Sequence, residues 1–226
     1  MHAPDVRVVY VDNGSDSAHY DLGVTALKES GLRYHTIALG TNRGFTTATN
    51  EGLGNLSRDE HPLLLNNDCF VLPGCVAQMA KHLDSNLKLA AVTPLQFGPG
   101  YNSIMHGTRR QRFADVIALC EQGDFEYAAE RQAELCNDFE FGPSNMVAFS
   151  CTLIRRVALN ELGPLDSRFA DGLGADDEWC RRAVRSGWQV GWAADALAIH
   201  LGRQSFSRLG ISRNCSAAYA KLRETA

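Results

Sequence analysis

At 226 residues, with 45% hydrophobic and 21% charged residues, the chain has the size and balance of one globular α/β domain with a full core. A net charge of −4 removes any general attraction to nucleic acid or to an anionic membrane. Seven scattered cysteines, odd in number and without a Cys-x-x-Cys pair, argue against a disulfide framework or a structural zinc and for a reducing compartment.

Read in chain order, VRVVYV at 6–11 is rich in β-branched residues and stops at Asp12-Asn13-Gly14-Ser15, which predicts a buried strand entering a loop. YHTIAL at 34–39 repeats the pattern and closes on Gly40-Thr41-Asn42. Phe45, Ala48, Thr49, Gly52, Leu53 and Leu56 recur at helical spacing. Residues 62–65 form a short apolar strand ending at Asn66-Asn67-Asp68. Val76, Met79, Ala80, Leu83 and Leu87 mark the next helix, and LAAVTPL at 89–95 the next strand. The alternation predicts a mainly parallel sheet with helices on both faces.

From about 98 to 142 the alternation breaks. A Gly98-Pro99-Gly100 loop leads into a polar helical stretch over about 115–136, read as an insertion because large apolar residues are few there. MVAFSCTLI at 146–154 then reads as a strand, followed by a helix ending at Gly163-Pro164 and another over about 176–186 with Gly187 as its C-cap. WQVGWA and ALAIH read as two short strands, and the tail from Ser205 as helical. Arg181, Arg182, Arg185, Arg203, Arg208 and Arg213 gather late in the chain; each alone reads as part of a solvated helix face, with a local anion site as the alternative for the group. No apolar run spans a membrane, and Asp5 and Arg7 interrupt any signal core, so the expectation is a cytoplasmic chain, with the inner face of a membrane as a place to meet an acceptor.

In open α/β sheets, ligands bind beyond the strand ends, where loops and helix N-termini converge. Asp12, Asn42, Asp68 and His200 all fall at such ends. Each alone is explained as a turn former, helix cap or ordinary histidine; their coincidence in one chain is the signal. There is no Gly-x-x-x-x-Gly-Lys-Ser/Thr, no dinucleotide fingerprint after a strand, no Gly-x-Ser-x-Gly elbow and no His-Glu-x-x-His.

VVYVDNGSDS, NRGFTTATNEGL (42–53), LLLNNDC, LGPLDSRFADGLGADDEWCRRAVRSGWQV and ALAIHLGRQSF, in this order, resemble the motif series of inverting GT-A glycosyltransferases of family 2, in the flavour of rhamnosyltransferase-like members. The resemblance implies a single GT-A-like domain over 1–226 that moves a sugar from a nucleotide-diphosphate donor to an acceptor hydroxyl. It implies Asp68 as a ligand of Mn²⁺ or Mg²⁺ with His200 as a second ligand, and Asp176 as the base, with Asp177 and Glu178 close enough to blur that assignment. It assigns Asp12, Asn42, Gly44, Asn50 and Asn67 to the nucleotide sugar. The acceptor, whether glycan, lipid-linked or small molecule, is open, and no nucleic-acid partner is expected. Trp179 and Trp188 are read as packing residues with sugar stacking as the alternative.

Two departures accompany the resemblance. Relatives open with an earlier strand ending in a Pro-x-Tyr-Asn-like loop, whereas Met1-His2-Ala3-Pro4 leads straight into the second strand; Ala175 replaces a common Glu. The first implies an open sheet edge beside 6–11, with three outcomes: pairing with a second copy as a homodimer, which is favoured, coverage by the tail after Ser205, or a bare edge. It also motivates the alternative of a truncated or inactive domain that binds a sugar nucleotide or a partner protein.

Overall fold

In a computed structural model, residues 6–136 and 140–202 are described; the expected tail helix and Arg203, Arg208 and Arg213 lie outside them. The strands are β1 (Arg7–Asp12), β2 (Arg33–Ala38), β3 (Leu63–Leu65), β4 (Cys69–Val71), β5 (Leu89–Phe97), β6 (Phe141–Ser144), β7 (Cys151–Ile154) and β8 (Gln189–His200). The helices are α1 (Ser17–Glu29), α2 (Phe45–Gly54), α3 (Cys75–Ser85), α4 (Gly107–Arg112), α5 (Ala114–Gln122), α6 (Phe125–Leu135), α7 (Arg156–Leu162) and α8 (Ala175–Arg185), with one 3₁₀ turn at Ser167–Phe169.

β1 and β2 pair in parallel as a sheet of their own, and β1 has no second strand neighbour among the described residues. The other six strands run β3-β7-β5-β8-β4, with β6 also on β8. The expected α/β architecture holds, with mixed pairing inside this sheet: β5 and β8 are parallel, while β3–β7, β5–β7, β4–β8 and β6–β8 are antiparallel. The sequence periodicity located strands but carried no information on their direction, because a strand buried on both faces reads as an apolar run in either orientation.

The expected pair of strands near the C-terminus is one strand, β8. Opposite Pro94 and Leu95 of β5 the register jumps from Ala193 to Leu197, so Ala194, Asp195 and Ala196 bulge out at the predicted seam. The bulge is satisfied by side chains: Gln132 donates to the Ala194 and Ala196 carbonyls, and Asp195 meets His82 at 2.7 Å, both nearly buried. The predicted strand at 146–154 shortens to β7. The expected helical run over 115–136 is two helices broken at Gly123, whose φ of +83° is a left-handed C-cap.

One face of the six-stranded sheet packs Ala91, Ile154 and Val190 against Leu53, Ala158, Leu159, Trp179 and Ala183 of α2, α7 and α8. The other packs Val92, Leu153 and Ala193 against Cys75, Met79 and Leu83 of α3. The insertion has more core than its composition suggested. Ile104, Phe113, Val116, Ile117 and Cys120 close over Leu95, Leu197 and Ile199 at the far ends of β5 and β8. That packing brings the 98–103 loop against the last residue of β8.

Candidate active site

β3 and β4 lie at opposite edges of the sheet, so the Asn66–Asp68 turn between them crosses its end. Asn66 N donates to Ser150 O at 2.8 Å, and Cys69 N closes the turn on Asn66 O at 3.0 Å. Cys69 is then the ladder partner of His200, and Leu201 N donates to Asp68 O at 2.9 Å. These backbone bonds place Asp68 Oδ1 3.4 Å from His200 Nε2, with the two side chains 13% and 16% exposed. The other ring nitrogen, Nδ1, lies 3.3 Å from Pro99 O. Asn67 sits exposed at the turn.

Two donor atoms each about 2.1 Å from one octahedral cation lie about 3 Å apart, so the pair has the spacing of neighbouring ligands. Among the described residues no group of three His, Cys, Asp or Glu gathers to hold a metal. A cation here therefore needs further oxygen donors from water or from a bound anion.

α8 starts after Gly174, and its first turn carries Asp176, Asp177 and Glu178. The half-buried Asp176 carboxyl accepts from Asp177 N at 3.0 Å and from the Phe149 backbone N–H. Burial, aided by the neighbouring Asp177, pushes it up to about 7, against the opposing pull of those backbone donors. Burial also raises Asp177. Glu178 is buried and faces elsewhere: Arg182 Nε grips its two oxygens at 2.8 and 3.0 Å and the same guanidinium reaches the Leu162 and Pro164 carbonyls. The three acids that the sequence left blurred are thus distinguished by their surroundings. Trp179 is fully buried with Nε1 on Gly163 O, and Trp188 packs on the same cluster, so both tryptophans serve packing.

Asp176 and the Asp68 turn share an anchor. Phe149 N bonds the Asp176 carboxyl, and the next residue, through Ser150 O, holds Asn66.

At the end of β1 the buried Asp12 carboxylate folds its own loop, accepting from Gly14 N at 3.2 Å and Ser15 N at 3.3 Å. Asn13 and Asn42 interlock the loops after β1 and β2: Asn13 Nδ2 donates to Asn42 Oδ1 at 3.1 Å, and Asn13 Oδ1 accepts from Arg43 N at 2.8 Å. Asn42 Oδ1 also accepts from Gly44 N. Gly44 has φ +85°, and a Cβ on it would stand 2.1 Å from Ala170 O. Asn50 spends its amide on the Leu165 backbone, donating at 2.8 Å and accepting at 3.0 Å. Gly44 and Asn50 therefore couple α2 to the 165–170 segment that leads into α8, rather than offering free groups to a ligand.

Asn13, Gln96 and Ser150 were not singled out by sequence. The available signal was polar residues inside apolar runs, Gln96 in LAAVTPLQF and Ser150 in MVAFSCTLI.

The family model described as "Glycosyl transferase family 2" matches residues 2–163. No curated protein matches. Among solved structures, GalNAc-T7 with UDP, GalNAc and Mn²⁺ superposes with a TM-score of 0.63 at 14% identity, over 88% of this chain and 38% of that one. The mannosyltransferase PcManGT from Pyrobaculum calidifontis, in complex with GDP-Man and Mn²⁺, superposes with a TM-score of 0.58 at 16% identity, over 88% of this chain and 48% of that one. The chain thus spans less than half the length of either protein, with which it shares the GT-A fold. No helix among the described residues is long and apolar enough to cross a membrane. With most of its length matched by the family model and its fold shared with sugar-transferring enzymes, the chain belongs to glycosyl transferase family 2.

Proposed function

We propose that this domain is an inverting, metal-dependent glycosyltransferase that moves a hexose or deoxyhexose from a nucleotide-diphosphate donor to an acceptor hydroxyl. The observation that carries the reading is the Asp68–His200 pair at 3.4 Å on one corner of the sheet. Asp68 and His200 would hold a hard divalent cation there, Mn²⁺ or Mg²⁺; an imidazole ligand tilts the choice to Mn²⁺. When bound, it neutralises charge developing on the leaving diphosphate.

The remaining work falls to the chain. Asp176 takes the proton of the acceptor hydroxyl while that oxygen forms a bond to the anomeric carbon. The bond from that carbon to the phosphate oxygen breaks on the opposite face, and the nucleoside diphosphate leaves with the electron pair. A carboxyl near 7 matches this role, because a base is most effective when its pKa lies close to the working pH. Asp12, Asn42 and Asn67 line the donor side, and Gly44 and Asn50 hold the segment that carries Asp176. Among the described residues β1 has no strand neighbour but β2, which supports pairing with a second copy of the chain; light scattering on the purified protein tests it. The rival reading is a domain that binds the donor without turning it over.

A thermal-shift screen of nucleotide sugars with and without Mn²⁺ tests the function. A ligand selective for the folded state raises Tm. The expected result is a rise that needs both sugar nucleotide and metal; no rise with any of them contradicts the proposal.

A further inference from the structure

Gln96 lies in the apolar strand β5 and is fully buried, a costly place for an amide unless every group is engaged. Its backbone N donates to Asn102 O at 3.1 Å, and its carbonyl accepts from Ile104 N at 2.9 Å, closing the 98–103 loop onto the strand. Its side-chain Nε2 donates to Pro99 O, and Oε1 accepts from Ser150 Oγ at 3.3 Å. The loop is pressed into place on both sides. At Gly98 a Cβ would stand 2.0 Å from His200 O, and at Gly100 one would stand 2.1 Å from Gln96 Nε2. The Pro99 carbonyl so placed is the partner of His200 Nδ1.

We propose that Gln96 is a positioning residue that sets the tautomer and orientation of His200 through the Pro99 carbonyl, with Ser150 fixing which way the Gln96 amide points. The inference rests on the reading of His200 as a metal ligand, but a different set of hydrogen bonds carries it. A carbonyl can only accept, so the Pro99 contact holds a ring proton on Nδ1 and leaves Nε2 as the nitrogen that gives its lone pair to a cation. Ser150 Oγ–H donates to Oε1 and thereby turns Nε2–H, not oxygen, toward Pro99. The same residue's carbonyl holds the Asp68 turn, so Ser150 aligns both ligands. Groups that orient a ligating histidine from behind typically change metal affinity by about 10–100-fold.

The test uses the whole chain and reads the ring before any metal is added. Nitrogen-15 spectra of the His200 imidazole in metal-free protein report which nitrogen carries the proton, and calorimetry reports Mn²⁺ binding in the presence of UDP. Wild type is expected to carry a proton on Nδ1, the nitrogen that faces Pro99 O. Gln96→Met keeps length and removes the donor, and it should populate the Nε2–H form and weaken Mn²⁺ binding by about tenfold or more. If Gln96→Met does not fold, Ser150→Ala replaces it, with Ser150→Thr restoring both the Nδ1–H form and the affinity. An unchanged tautomer and unchanged affinity in the folded variants overturn the proposal. A tautomer that shifts in a protein binding no Mn²⁺ upholds the positioning role and refutes the metal reading instead.

Discussion

Replacing Asp176 by Asn separates catalysis from stability in opposite directions. The carboxyl titrates near 7 in the folded chain, against an ordinary value of 3.8, because burial opposes its charge. Between those two pH values the folded state keeps a proton that the unfolded state has lost. Stability therefore falls as pH rises through that window, and the full penalty is present above about 7. A displacement of about three units corresponds to about 4 kcal/mol as an upper bound, since each unit is worth about 1.4 kcal/mol. Solvent at the half-buried carboxyl reduces this to about 2–4 kcal/mol. Asn keeps an oxygen to accept from Phe149 N and Asp177 N and carries no charge, so Asp176→Asn should be more stable than wild type at mildly alkaline pH and nearly equal to it below pH 4. Turnover should fall at least about 10²-fold, while donor binding stays intact. Urea titrations at several pH values, paired with a transfer assay, measure both. A variant that is destabilised at alkaline pH, or one that keeps near-normal turnover, refutes the reasoning.

Three further outcomes follow from contacts around the site. Gly44→Ala, at φ +85° and against Ala170 O, should cost about 1–3 kcal/mol by urea denaturation and reduce turnover by displacing the segment before α8. Asn50→Ala leaves the Leu165 N–H and C=O without their partner and should cost about 1–3 kcal/mol, with donor affinity falling less than kcat. Glu178→Gln should act on stability rather than chemistry, because its carboxylate is held by Arg182; a transfer assay that loses activity while the melting curve stays unchanged would move the base to Glu178.

How much of this was legible in the sequence depended on where each side chain found its partner. LAAVTPL announced β5 because its burial is written in apolar residues, and VRVVYV announced β1 through its β-branched run, although Arg7–Val11 are only half-buried rather than buried as expected. α1 went unread because it buries no residue and so has little apolar stripe, although Asp16 caps it through His19 N. β4 and β6 are short and exist through pairing with a strand more than forty residues further on, which local pattern does not carry. MVAFS looked like strand, yet its Phe149 N–H and Ser150 C=O serve Asp176 and Asn66 instead of a ladder. Asp68, His200 and Asp176 were singled out through motif order. What the motifs could not supply was the support behind them: Ser150, Gln96 and the Pro99 carbonyl are meaningful only once the insertion has folded back onto β8.

The central proposal is that Asp68 and His200 would hold a divalent cation on which donor binding depends. Isothermal titration of UDP and of GDP into the protein tests it most directly, run with Mn²⁺, with a chelator, and with Asp68→Ala. The account predicts measurable affinity for at least one nucleotide with Mn²⁺, and its loss both in chelator and in the folded Asp68→Ala protein. Metal-dependent affinity that survives Asp68→Ala unchanged would contradict it.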